Sequence, residues 1–174
     1  MPPNSWANMK NIIIAAIFLA GLSACASRPP TPTYTAFSPN AESEYAPYLL
    51  KGTAEISGQG FLAQKGGGTV KAAGREVILD PVTEVSTKWW YQAGKVWAYR
   101  NSTPPSVNFR AARRTTIADA DGRFKFADLS AGSYYIRTEV TWDVPFHGIQ
   151  GGLVTGTVTV KDGESKQTIL NSSN

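Results

Sequence analysis

The sequence predicts an all-β protein, a single sandwich of about seven short strands. The folded part, residues 49–171, is rich in threonine, valine and aromatic residues, which favour strands. No long stretch shows the apolar stripe of an amphipathic helix. Short alternating segments follow one another with turn residues between them, which is typical of β-sandwiches. A chain of this length is sufficient for one domain with its own core.

The individual strands are predicted from the alternation of apolar and polar residues. In the first, Ala54 and Ile56 share one face. The predicted strands are 53–58, 76–79, 95–101, 115–118, 123–127, 133–142, 154–160 and 166–170. The longest of them puts Tyr134, Ile136, Val140 and Trp142 on one face. Asp162-Gly163 predicts a hairpin that joins the last two strands.

The N-terminal segment has the layout of an export signal. From Met9, a short positive stretch precedes an apolar run that ends at Leu22-Ser23-Ala24-Cys25. The alternatives are a membrane-spanning helix and a buried helix. The run is short for a membrane-spanning helix. The last four residues resemble the lipobox of bacterial lipoproteins. We therefore expect residues 1–24 to be a signal peptide, with Met9 as the true start, and Cys25 to carry the lipid.

A tether is predicted between this anchor and the domain. Residues 25–48 contain five prolines and no helical or strand period, which favours extended backbone. Ala26 follows the cysteine where retained inner-membrane lipoproteins have Asp, so the resemblance implies the outer membrane. We expect the domain to face the periplasm, with the cell surface as the alternative. Lipidation would also account for the single cysteine of the chain.

One motif carries a second resemblance. Residues 116–136 read TIADADGRFKFADLSAGSYYI. They resemble the carboxypeptidase regulatory-like family, whose pattern is T-x-x-D-x-D-G-x-F-x-F-x-x-L-x-x-G-x-Y. The resemblance implies a transthyretin-like (prealbumin-like) sandwich and a non-enzymatic accessory module. It covers most of 52–170 but departs from the family between 85 and 114, where the family has a shorter connection.

The motif itself indicates a structural turn. Asp119 and Asp121 can bond backbone N–H groups of the turn, while Gly122 and Gly132 allow the chain to reverse. The alternative is a calcium loop, since Asp-x-Asp-Gly opens many of them. Such a loop also needs a Glu at its twelfth position, where this chain has Ser130. We therefore predict no metal site and no cofactor.

No catalytic site is predicted. The chain has one histidine, His147, and no G-x-S-x-G motif accompanies it. A loop histidine between proline and glycine is more often a plain loop residue. The glycines at 66–68 lack the lysine of a phosphate-binding loop and indicate a mobile hairpin tip.

The segment 85–114 is the candidate binding surface, because it combines basic and aromatic residues without any acidic one. Aromatic faces bind sugar rings and cations, and basic side chains bind anions. The candidates are Lys88, Trp89, Trp90, Tyr91, Trp97, Tyr99, Arg100, Arg110, Arg113 and Arg114. The alternative is that the aromatic residues belong to the core and the charges lie on its solvated side.

These features favour a non-enzymatic envelope lipoprotein that binds a protein partner. A first alternative is a module that binds carbohydrate, peptidoglycan or lipopolysaccharide. A second is the lipoprotein subunit of a secretion machine. We expect the lipid on Cys25 to attach the protein to the membrane. Export excludes cytoplasmic nucleic acid as a partner.

Overall fold

The computed structural model describes residues 37–171, which form a sandwich of two sheets and confirm the predicted fold class. The strands are β1 (Ala54–Ala63), β2 (Thr69–Lys71), β3 (Glu76–Pro81), β4 (Arg114–Ile117), β5 (Arg123–Leu129), β6 (Gly132–Val144), β7 (Gly148–Val160) and β8 (Ser165–Leu170). The helices are α1 (Glu84–Trp89), which continues as a π turn (Trp90–Gly94), and α2 (Val107–Ala112). Two 3-10 segments cover Ala41–Leu49 and Trp97–Tyr99. The predicted signal peptide and Cys25 lie outside the described residues, and within 37–171 no helix is long and apolar enough to cross a membrane.

The two sheets differ in how their strands pair. One has the order β4-β3-β6-β7 and is antiparallel throughout. In the other, the central strand β1 pairs with β5 and β2 in the antiparallel sense and with β8 in the parallel sense. The core between the sheets includes the buried residues Ile56, Leu79, Ile136 and Val154. Alternation along β1, β3 and β6 therefore identified the inward faces correctly.

The hairpin predicted at Asp162-Gly163 is wrong. The turn exists, with Gly163 at a φ of 71° and the Glu164 amide donating to the Lys161 carbonyl at 3.0 Å. However, β7 pairs with β6, whereas β8 pairs with β1 in the opposite sheet. Turn residues determine a local reversal of the chain, but they do not determine which strand the next segment joins.

Segment 84–112 forms a helical cap on the outer face of the β4-β3-β6-β7 sheet. Trp89 and Phe109 are fully buried there and pack with Tyr135 of β6 in a second apolar cluster. The strand predicted at 95–101 is wrong, since this stretch contains the 3-10 turn Trp97–Tyr99. Apolar and polar residues alternate over 95–101 as they would in a strand. The chain has already left the sheet before this stretch, because the capping box of Thr83 starts α1.

Part of the predicted tether is folded. The 3-10 segment Ala41–Leu49 places Tyr45 in the second cluster, where its ring stacks on Phe109 with the centroids 5.6 Å apart. Ser38 donates to the Glu84 carboxylate from both its amide and its hydroxyl. The folded domain therefore begins before residue 49, and from residue 37 onward the predicted tether belongs to it.

Candidate ligand-binding cleft

The aromatic and basic residues of segment 85–114, the candidate binding surface, do not form one surface. Trp89 is 0% exposed and Trp90 is 5% exposed. Trp89 meets Phe109 edge to face at 5.3 Å, and Trp90 stacks on Tyr135 at 4.6 Å. The prediction that these two tryptophans contact a ligand is wrong, because both are buried in the second apolar cluster, between the helical cap and Tyr135 of β6.

Arg113 is engaged in a buried ion pair. Its guanidinium donates to both oxygens of Asp80, at 2.6 and 2.8 Å, and Asp80 is only 1% exposed. The same guanidinium lies 5.1 Å from the centroid of the Trp89 ring. Arg137 of β6 lies beside it, donates to the Gly94 carbonyl at 2.7 Å, and has its pKa lowered to about 10 by burial and by Arg113. These charges hold the helical cap on the sheet.

The other basic residues of the segment also have partners in the fold. Lys88 pairs with Glu84 at 2.8 Å. Arg110 donates to the Pro104 carbonyl at 2.9 Å. Arg114 donates to carbonyl oxygens of Ala111 and Tyr48 at 3.3 and 3.5 Å.

The remaining candidates lie nearer the surface in two cation–aromatic pairs. Tyr91 is 61% exposed, with the Lys95 amine 4.5 Å from its ring centroid. Trp97 is half-buried, with the Arg100 guanidinium 4.4 Å from its ring. Tyr99 follows in the same 3-10 turn and packs against the second cluster. One face of the Tyr91 and Trp97 rings thus already carries a cation of this chain.

The Asp-x-Asp-Gly motif forms a turn between β4 and β5. The Asp119 carboxylate accepts hydrogen bonds from the amides of Asp121 and Arg123, both at 2.8 Å. Asp121 pairs instead with side chains, and Lys71 at 2.6 Å lowers its pKa. Gly122 has a φ of 74°, and Gly132 (φ 153°) lies against the ring of Tyr48. Among residues 37–171, no three His, Cys, Asp or Glu side chains are grouped so that they could hold a metal ion.

A cleft of about 470 Å³ opens at one end of the sandwich. It lies between the β1–β2 connection and the β6–β7 connection, two hairpins that extend beyond the core. Its lining includes Gln64, Lys65, Gly66, Trp142, His147 and Gln150. Cavities of this size with an apolar wall and a few polar groups are typical small-molecule sites.

Trp142 provides the aromatic wall of this cleft. It lies on the inward face of β6, in line with Val140, but beyond the point where the opposite sheet covers that face, so it is only half-buried. Gly151 of β7 makes room for the ring: a Cβ at this position would lie 2.9 Å from Cζ3 of Trp142. The indole is therefore held in place by its backbone surroundings while part of it remains open to a ligand.

Polar groups surround the indole on both hairpins. Gln150 is the cross-strand partner of Trp142 in β7, and its Nε2 donates to the His147 carbonyl at 3.2 Å. On the other side, Gln64 closes a tight turn, accepting from the Gly67 amide at 3.0 Å and donating from its own amide to the Gly68 carbonyl at 3.1 Å. Gly67 has a φ of 92°, which side chains rarely adopt. The cleft thus combines an aromatic face with two amide side chains, an amine and an imidazole.

Sequence reasoning missed this cleft. It assigned Trp142 to the core, the glycines at 66–68 to a hairpin tip and His147 to a plain loop. One signal of the cleft was present in the sequence. The apolar alternation of β6 extends over more residues than the short strands of an opposing sheet can cover. Only the meeting of two hairpins distant in sequence makes that excess the wall of a cleft.

A larger groove of about 690 Å³ crosses the exposed face of β5, β1 and β8. Its polar groups are already partly engaged, since Gln59 donates to the Asp121 carbonyl at 2.7 Å and Arg123 pairs with the Asp121 carboxylate at 2.9 Å. The solvated side of a sheet is ordinarily polar. The Trp142 cleft is therefore the stronger candidate.

Comparison with known proteins gives a fold likeness and no family. No family model and no curated protein matches the chain, so the carboxypeptidase regulatory-like resemblance stays a prediction. A solved structure from Bacillus cereus, the major pilin subunit BcpA, has a TM-score of 0.42 at 14% identity, over 71% of this chain and 30% of that one. One from Bacteroides uniformis, titled a "putative carbohydrate binding protein", has a TM-score of 0.35 at 13% identity, over 69% and 41%. A Pseudomonas aeruginosa protein with the same wording in its title has a TM-score of 0.66 at 28% identity, over 80% of this chain and 100% of its own. The chain is thus similar in fold to the whole of that Pseudomonas protein.

Proposed function

We propose that this protein is a binding module that holds a carbohydrate in the Trp142 cleft. The observation that carries the proposal is the half-buried indole between two polar hairpins. A sugar ring has an apolar face that stacks on an aromatic ring and hydroxyl groups that need hydrogen-bonding partners at its edge. Gln64, Gln150 and His147 offer such partners. The fold likeness to a Pseudomonas protein whose title names carbohydrate binding supports the same class of ligand.

The proposed role is binding without catalysis. Glycoside hydrolysis ordinarily uses two carboxylates that flank the scissile bond. The cleft lining contains no aspartate or glutamate. His147 is exposed on a hairpin and lies among amides and glycines instead of beside an activating carboxylate.

The proposed setting is the bacterial envelope. The lipobox resemblance at Cys25 supports lipid anchoring, and Ala26 supports the outer membrane. Residues 26–36 would then form the part of the tether that precedes the folded domain. In this setting the polysaccharides within reach of the cleft are peptidoglycan and lipopolysaccharide.

A second candidate is a protein partner, and the β6–β7 hairpin favours it. Phe146 at its tip is fully exposed and has a φ of 67°, and Ile149 is 71% exposed. The two side chains lie on the same hairpin, and contiguous exposed apolar surface is what marks contact sites. A partner at this hairpin would lie beside the Trp142 cleft.

The test is retention of the purified protein on peptidoglycan, lipopolysaccharide and an array of oligosaccharides. Trp142→Ala should weaken binding about tenfold or more, because it removes the stacking wall. Trp97→Ala is the matched control, since it removes a half-buried tryptophan outside the cleft and should leave affinity unchanged. Thermal unfolding of both variants checks that the fold persists. Failure of the wild-type protein to bind any glycan, or equal loss in both variants, would overturn the proposal.

A further inference from the structure

We infer that the Trp142 cleft selects an anionic sugar, a pyranose that bears a carboxylate or a phosphate, and that Lys65 recognises the anionic group. This inference rests on the proposed carbohydrate function. It concerns which sugar is bound, and it follows from the distribution of charge around the cleft.

Lys65 is the lysine that lines the cleft. Of the eight lysines within residues 37–171, five have a carboxylate oxygen within ion-pair distance: Lys51, Lys71, Lys88, Lys125 and Lys166. Of the other three, Lys95 lies over the Tyr91 ring and Lys161 lies on a turn outside the cleft, whereas Lys65 is exposed in the cleft lining. The Lys65 ammonium group is therefore available to a ligand in the cleft.

The rest of the cleft does not oppose a negative charge. Its polar side chains are the amides of Gln64 and Gln150 and the imidazole of His147, and no carboxylate lines it. The nearest acidic residue along β6 is Asp143, which alternates with Trp142 and so projects from the opposite face of the strand. An anion in the cleft thus meets donors and one cation without repulsion from a lining carboxylate.

The glycines beside Lys65 allow close approach. A Cβ added to Gly66 or Gly67 would have no atom within 4 Å, so this tip of the hairpin is open. A sugar that stacks on Trp142 can place a charged substituent toward this side, where a long lysine side chain reaches it. Hydrogen bonds to charged groups are stronger than those between neutral groups, so this contact would add to stacking.

The test measures the affinity of the full chain by titration calorimetry at low ionic strength. The probes are an oligomer of hexuronic acid, a sugar phosphate and a neutral oligosaccharide of matched length. The acidic probes should bind about five- to tenfold more tightly than the neutral one. The preference should shrink as salt rises to about 0.15 M, because screening weakens an exposed ion pair. The ratio between the two acidic probes identifies the carboxylate or the phosphate as the preferred group.

Three variants assign the effect to Lys65. Lys65→Gln should remove the preference for the acidic probes over the neutral one, whereas Lys65→Arg should keep it. Lys161→Gln is the control, since it removes an equal charge from a distant exposed turn, and it should change nothing. Equal affinity for acidic and neutral sugars, or equal effects of Lys65→Gln and Lys161→Gln, would overturn the inference while the carbohydrate function stands. If no sugar of any kind binds, both the proposed function and this inference fail.

Discussion

Asp80→Asn is expected to be strongly destabilising, because Asp80 is the buried carboxylate that compensates the guanidinium groups of Arg137, which is buried, and Arg113, whose side chain is 15% exposed. It accepts two hydrogen bonds from Arg113, and Arg137, only 2% exposed, lies in the same buried region. Asparagine has nearly the same shape, so the substitution removes the charge with little change in volume. Burial and Arg113 already lower the pKa of Arg137 to about 10, whereas the charge of Asp80 raises it. Asp80→Asn removes that compensating charge and leaves the two guanidinium groups to repel each other.

The size of the effect follows from the burial of the pair. Removing one partner of a buried ion pair costs about 3–5 kcal/mol, because the other charge stays desolvated. For a domain of this length each kcal/mol lowers Tm by roughly 3–4 °C, so the variant should melt about 10–20 °C lower. Urea unfolding followed by tryptophan fluorescence measures the free energy of unfolding, and Trp89 and Trp90 in the cap contribute two of the five tryptophans to the signal.

The matched control is Glu55→Gln, which removes the carboxylate of an exposed pair with Lys125. That pair is equally short, at 2.6 Å, but the lysine side chain is 61% exposed. Pairs of this kind contribute about 0–1 kcal/mol. If Asp80→Asn costs no more than Glu55→Gln, then the buried pair does not hold the cap on the sheet and our account of segment 84–112 is wrong.

Three further predictions concern other parts of the fold. Gly151→Ala should cost about 2 kcal/mol or more in urea unfolding and weaken sugar binding, because the residue has a φ of 94° and a Cβ would clash with the Val140 carbonyl oxygen and lie 2.9 Å from the Trp142 ring. Tyr45→Ala should cost about 3–5 kcal/mol in the same assay, since the ring is fully buried. Glu84 has its pKa lowered from 4.5 to about 2, first by its hydrogen bond with Lys88. The stability that this carboxylate contributes is therefore complete above pH 4.5 and is lost as the pH falls toward 2, which NMR shifts of the 37–49 segment would follow.

Each of these has a control in the chain. Gly66→Ala adds a methyl group into open space and should leave stability unchanged. Tyr91→Ala removes an exposed ring and should cost far less than Tyr45→Ala. Glu84→Gln should abolish the acid transition of the Ser38 amide, which donates to the Glu84 carboxylate. Equal costs for the two glycine variants or for the two tyrosine variants, or an unchanged acid transition in Glu84→Gln, would each contradict the corresponding argument.

Local patterns predicted most strands but misplaced the aromatic residues of the cap. Val77 and Leu79, two residues apart, indicate a strand with one buried face. This pattern is the same whichever strand pairs with it. Trp89 and Trp90 are adjacent, so no strand period could bury both. A short helix and its π continuation bury both, Trp89 against Phe109 and Trp90 against Tyr135. Thr83 caps that helix, but a helix of only six residues gives no clear apolar stripe in the sequence.

The sequence by itself determined the all-β class and the positions of most of its strands. A strand with one buried face has an apolar residue at every second position, and this pattern is visible in the sequence. The sequence also contained the turn motif of Asp119 and Gly122, whose hydrogen bonds lie within a few residues of one another. Only the tertiary structure decided that β8 joins β1, that the helical cap covers the second face of β6, and that Trp142 emerges beside Lys65. These are contacts between segments far apart in the chain, and they depend on how the sheets stack and end.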